Sequence, residues 1–288
     1  GYVGRAAGGR LARAGHEVAG VQRGPDDGSL VAAGIRPLMA DVTRPETLAA
    51  LPGGWDAVVN CVSSAGGDAA TYRALYLEGT RNLLAWLRAA PPRRFVHLGS
   101  TSVYGQTDGG WVDEGSPTEP AAETARVLVA TEEMLGEASA AGFPAIRLRV
   151  AGIHGPGRGH LLQKLRRGEA RLDGDGSRWL NQVHRDDVSG AIVAAVDHGE
   201  PGRVYNVADN EPVTQRDLLA WLAAQLGLPM PGPAAPGEAS PRRRGATNKR
   251  VANRRLRTAL GWRPTYPSFR EGYAAELTRL RGEAVAAD

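Results

Sequence analysis

Residues Gly1-Tyr-Val-Gly4, a helical run behind them, and then Gly15-His-Glu-Val18 decide how this chain is read. Small residues at a helix entrance let the backbone approach a phosphate. The first helical turn also offers N–H groups with no partner inside the helix. Glu17–Gln22 (EVAGVQ) then reads as a strand. Two glycines three apart also occur in ordinary turns, and alone they weigh evenly between a turn and a phosphate cradle.

Outward from that stretch, short apolar runs alternate with helical patterns. Strands are expected over Ala57–Val62, Arg94–Leu98, Ala145–Ala151 and Arg203–Val207. Helical spacing runs through Ala69–Ala90 and Thr124–Ala141. Thr43-Arg-Pro-Glu46 and Thr214-Gln-Arg-Asp217 read as capping boxes, opening helices through Leu51 and Leu226. Gly227–Pro241 reads as a loop, and Leu256–Trp262 and Phe269–Arg281 as terminal helical segments. Strands that alternate with helices predict βαβ units, hence a doubly wound α/β fold with a parallel sheet.

Composition removes several classes. With 288 residues and 42% hydrophobic content, the chain can bury a large core and is not a disordered polymer. Ala191–Val196 is among its longest apolar runs, far short of a membrane span, so no membrane partner is expected. Cys61 is the sole cysteine, which excludes an internal disulfide and suits a reducing, cytoplasmic setting. One cysteine and scattered histidines give no structural zinc pattern, and no metal is expected. The net charge is +4, carried almost wholly by arginine, since Lys164 and Lys249 are the only lysines. The basic stretches Arg242–Arg244 and Lys249–Arg257 lack interleaved aromatics, so no nucleic-acid partner is expected. A solvated face is their first reading. An anion site using Arg158 or the Lys249-Arg250 pair is the second.

Further segments follow in a fixed order. They are Asp41, Ser100-Thr-Ser-Val-Tyr104-Gly, Gly155-Pro-Gly-Arg158, His184-Arg-Asp-Asp187, Val204-Tyr-Asn-Val207 and Leu260-Gly-Trp262. With the opening glycines, this set resembles the extended short-chain dehydrogenase/reductases, the NAD-dependent epimerase/dehydratase family. The resemblance implies a doubly wound (Rossmann) sheet in which Gly1 and Gly4 are the second and third fingerprint glycines, with the first strand expected to be absent from this chain. It implies a dinucleotide-binding domain at 1–152 and 181–208, and a smaller substrate region at 153–180 and 209–288. Gly1, Tyr2, Val3 and Gly4 would then hold the diphosphate. Asp41 and Val42 would border the adenine, and Val62 and Ser63 would follow a strand near the pyrophosphate and ribose. Where relatives carry an acid for the ribose 2′-OH or a base for a 2′-phosphate, this chain has Arg23. That favours NADP, with NAD as the alternative. A homodimer through the helices around Ala69–Ala90 and Thr124–Ala141 would also follow.

Ser100 matches the serine that polarises the substrate oxygen in that family, and is the one catalytic residue carried over. The family's Tyr-x-x-x-Lys pair has no match: Thr124 and Leu128 fall at those positions, which marks an atypical subgroup. His154 is a candidate substitute acid, although a structural loop histidine is the stronger reading. Tyr104 is expected to pack below the site, and His97 and Cys61 in the core. Asp187 is expected to cap the helix after His184. The implied function is an NAD(P)-dependent oxidoreductase or epimerase acting on a small, anionic or sugar-like molecule. A non-catalytic NADP(H)-binding regulator is the alternative.

Overall fold

The computed structural model describes residues 1–64, 66–234 and 247–285, the last five by backbone only. Arg242–Arg244 and the end of the Gly227–Pro241 loop lie outside them. The strands are β1 (Ala19–Gln22), β2 (Arg36–Met39), β3 (Ala57–Asn60), β4 (Arg94–Ser100), β5 (Trp111–Val112), β6 (Ala145–Val150), β7 (Gly152–His154), β8 (Trp179–Leu180), β9 (Gln182–His184), β10 (Val204–Val207), β11 (Val213–Thr214) and β12 (Arg250–Val251). The helices are α1 (Tyr2–Arg13), α2 (Pro45–Ala49), α3 (Ala69–Tyr72), α4 (Gly79–Leu87), α5 (Glu123–Ala140), α6 (His160–Arg166), α7 (Arg185–His198), α8 (Gln215–Leu226), α9 (Arg254–Ala259) and α10 (Phe269–Val285). A π-helical stretch, Arg73–Glu78, joins α3 to α4.

Four strands form a parallel sheet in the order β10-β6-β4-β3. Its core residues Phe95, Val96, Ile146, Leu148 and Tyr205 are fully buried. Apolar residues at successive positions of β4 and β6 fit a sheet covered on both faces. Helix α5 packs on β4 and β6, and α7 packs on β4 and on α1. β1 and β2 form a separate parallel pair. Among the described residues, β1 pairs only with β2 and β3 only with β4, so each carries one unpaired edge. A second apolar cluster, around Leu162, Leu219, Leu222, Phe269 and Tyr273, draws on α6, α8 and α10.

Two expected caps differ from the structure. Arg44, not Thr43, is the N-cap of α2, and it makes no side-chain cap bond. Thr43 is drawn back instead, its N–H and hydroxyl both donating to Asp41 Oδ1. Asp187 does not cap α7. His184 is the N-cap, its Nδ1 accepting the Asp186 N–H at 3.2 Å. The Asp187 carboxylate lies inside the first turn and accepts the backbone N–H groups of Thr265 and Tyr266, at 2.6 and 3.0 Å. Thr214 does cap α8, accepting the Asp217 N–H, and Gly227 ends that helix in the left-handed region at φ 65°.

Candidate active site

One cleft of about 2490 Å³ crosses the molecule. Ten of the residues singled out line it: Gly1, Tyr2, Val3, Gly4, Arg23, Asp41, Val42, Val62, Ser63 and Ser100. The edges of β1 and β3 line it too, so it also runs between the two sheets.

The first helix begins at the cleft. Gly1 is the N-cap of α1, no side chain caps the helix, and its first turn holds no acid. A Cβ at Gly1 would meet nothing within 4 Å. At Gly4 the constraint is internal, since a Cβ there would come 2.6 Å from Cys61 Sγ. Burial pushes the Cys61 thiol up, which suits a packing residue and not a nucleophile. The Arg158 and Arg185 guanidinium groups each lie over the Tyr2 ring, 5.2 Å from its centre, and its hydroxyl donates to Pro156 O at 3.1 Å.

Just after β2, the Asp41 carboxyl is held below its usual range, chiefly by the Thr43 N–H and with help from Arg23. Beyond β3, Asn60 Oδ1 accepts the Val62 N–H at 3.2 Å and fixes the turn into Ser63. The Asn60 amide also meets His97 Nδ1 and donates to Thr80. Burial pushes His97 down to about 4, as expected of a core histidine. Ser100 ends β4, and its Oγ accepts the Ser102 N–H at 3.2 Å across a tight turn.

Thr124 is buried in the first turn of α5, and Leu128 lines the cleft one turn later. Tyr104 is fully buried below the cleft. Its hydroxyl donates to Asn206 Oδ1 at 2.8 Å and accepts from Arg149 at 2.9 Å. His154 does not line the cleft. It stacks on Tyr273 at 4.5 Å, and burial pushes it down to about 3, so it stays neutral near pH 7 and offers no acid there. Among the described residues, no group of His, Cys, Asp and Glu is arranged to hold a metal, and no helix is long and apolar enough to cross a membrane.

Lys249 and Arg250 part company. Lys249 lines the cleft, whereas Arg250 lies over the rings of Trp111 and Trp179 at 5.2 and 5.1 Å. Sequence reasoning treated Lys249 chiefly as part of a solvated basic face. Its rarity, one of two lysines, was the available signal. The buried Glu132–Arg149 pair under Tyr104 was missed altogether.

Residues 1–208 match the NAD dependent epimerase/dehydratase family model. A 3-diazoavenalumate denitrifying reductase from a Streptomyces sp. is 32% identical over 220 residues, 70% of this chain and 71% of that protein. A 2-alkyl-3-oxoalkanoate reductase from Stenotrophomonas maltophilia (strain K279a) is 28% identical over 247 residues, 80% of this chain and 74% of that protein. In fold, the chain matches the Streptomyces venezuelae dTDP-glucose 4,6-dehydratase DesIV, solved with NAD and TYD bound. That match has a TM-score of 0.84 at 22% identity and covers 98% of this chain and 94% of that one. With a parallel sheet, and with the family model matched over 208 of its 288 residues, the chain belongs to the NAD dependent epimerase/dehydratase family.

Proposed function

We propose that this protein is an NADP-linked oxidoreductase, a reductase or epimerase, that converts a small molecule in the cleft between the opening turn and the Ser100 turn. One observation carries the reading: ten residues from five separate stretches of chain line a single cleft. The residues fit a dinucleotide. Free N–H groups and the helix dipole favour a diphosphate at Gly1–Gly4, where the first turn holds no acid. Arg23 gives a 2′-phosphate a cation, with NAD as the weaker ligand. A bound nicotinamide nucleotide supplies hydride chemistry. The chain's own part is to orient substrate and cofactor, and Ser100 donates its hydroxyl hydrogen bond to the substrate oxygen. Residues 1–152 and 181–208 hold the nucleotide, and 153–180 and 209–288 shape the substrate side.

The gap between β1 and β3 takes one further parallel strand. The single unpaired edge on each side supports this, because it leaves a row of N–H and C=O groups without ladder partners. Thr124 and Leu128, at the positions expected for the family pair, support a subgroup without the phenol–amine relay, and they favour a second reading as an NADP(H)-binding regulator. Fluorescence titration with NADPH and NADH, followed by nucleotide oxidation assays over oxo acids and nucleotide sugars, separates the two. Turnover supports the enzyme, and tight binding without turnover supports the regulator. Failure to bind either nucleotide overturns both.

A further inference from the structure

The cleft wall made from residues 98–102, 150–181 and 247–249 contributes Arg158, His160, Arg167, Arg178 and Lys249, and no carboxylate lines it there. Most of these groups reach solvent or protein partners. Arg178 is tied to Asp173 at 3.6 Å. Lys249 differs. It is only 5% exposed, and its Nζ donates to two neutral acceptors, Tyr104 O at 2.9 Å and Thr247 Oγ1 at 2.8 Å. An ammonium has three N–H groups, so one is left over. Lys249 forms no ion pair among the described residues, and the charge acting on it is the like charge of Arg178. Buried cations are normally paired, because the desolvation cost otherwise goes uncompensated.

We propose that Lys249 is the recognition group for a carboxylate on the substrate, so that the cleft takes small oxo acids. This deepens the reading of the cleft as a substrate site by naming the substrate class. One ammonium with one N–H to spare matches a single charged oxygen. The neighbouring guanidinium is already engaged by Asp173, so a phosphate dianion would find fewer donors than it needs. Because the amine stands on the carbonyl of Tyr104, it is fixed to the end of the turn that Ser100 begins. The acid and the reacting carbonyl are thereby held from one rigid segment. Burial and Arg178 push the amine down to about 8, which leaves it mostly charged at pH 7.

The test uses the full chain labelled with ¹³C,¹⁵N-lysine, which yields two side-chain signals because there are two lysines. Lys164→Arg removes one of them and assigns the other without touching the buried amine. At pH 7 without nucleotide, 2-oxobutanoate is expected to shift the Lys249 signal saturably and to leave Lys164 in place. Its amide, 2-oxobutanamide, is expected to bind at least roughly 10-fold more weakly. The proposal is overturned if Lys249 does not respond to the acid at tens of millimolar, if the amide shifts it equally, or if inorganic phosphate does so at lower concentration. Nucleotide binding is read separately by NADPH fluorescence, so a failed cofactor reading and a failed acid subsite give different results.

Discussion

The Glu132 carboxylate grips the Arg149 guanidinium at 2.7 Å, and their side chains are 6% and 8% exposed. From this pair a polar chain runs through the Tyr104 hydroxyl to Asn206, whose amide donates to Ala252 O at 3.1 Å. It fastens α5, β6 and β10 beneath the Ser100–Tyr104 turn. Breaking a buried pair by removing one partner strands a charge, which typically costs about 3–5 kcal/mol. Glu132→Gln is therefore expected to lower stability by an amount in that range in urea unfolding. Tyr104→Phe, which removes only the neutral link, should cost about 1–3 kcal/mol.

Gly4 and Cys61 form a second testable contact. An alanine at 4 gains up to about 1 kcal/mol of helix propensity, but its Cβ would lie 2.6 Å from Cys61 Sγ. Overpacking of that kind costs about 1–3 kcal/mol. Gly4→Ala should therefore destabilise the natural chain. In a Cys61→Ala background the same change should be neutral or stabilising. A double-mutant cycle by thermal unfolding checks the change of sign.

Asp209 should make stability fall as pH rises. It is buried, and its Oδ2 has no hydrogen-bond partner among the described residues. Burial pushes it up to about 8, with Glu211, Asp187 and Glu271 adding repulsion. A carboxyl raised in the folded state stabilises below its unfolded pKa of about 3.9, and that stabilisation is lost as pH climbs through the folded value. Between about pH 4 and 8 the loss is on the order of 5 kcal/mol at most. Asp209→Asn should remove this slope, so the variant's relative stability rises with pH across that window. A parallel pair of curves from denaturant titrations at several pH values would refute the assignment.

Arg23 should discriminate between nucleotides. It is exposed at the end of β1 and acts on Asp41 across the cleft wall. Arg23→Ser is expected to weaken NADPH binding roughly 10-fold, the worth of a partly screened charge-assisted contact. NADH binding should stay unchanged in the same fluorescence titration.

Much of the architecture was legible because periodicity reports burial. The runs at Arg94–Leu98 and Ala145–Ala151 became β4 and β6, the centre of the sheet. The residues around the cleft were found through segment order, since glycine turns and strand ends recur at fixed places in the fold. Side-chain partnerships were not legible. Nothing local ties Asp187 to Thr265, or Glu132 to Arg149, because those partners meet only after packing. Thr43 misled for a related reason: Asp41 accepts both its N–H and its hydroxyl and draws it back from the cap position.

The Asp187 carboxylate has one more implication, for the order in which the molecule is assembled. It fastens α7 to residues 265 and 266, while the Trp262 indole N–H donates to the Asp187 carbonyl at 3.1 Å. These ties close loops of more than seventy residues, contacts that form late because their chain entropy is lost before any stabilisation is returned. In a chain still emerging from the ribosome, the Asp187 carboxylate therefore lacks both donors until residues 265 and 266 have been made.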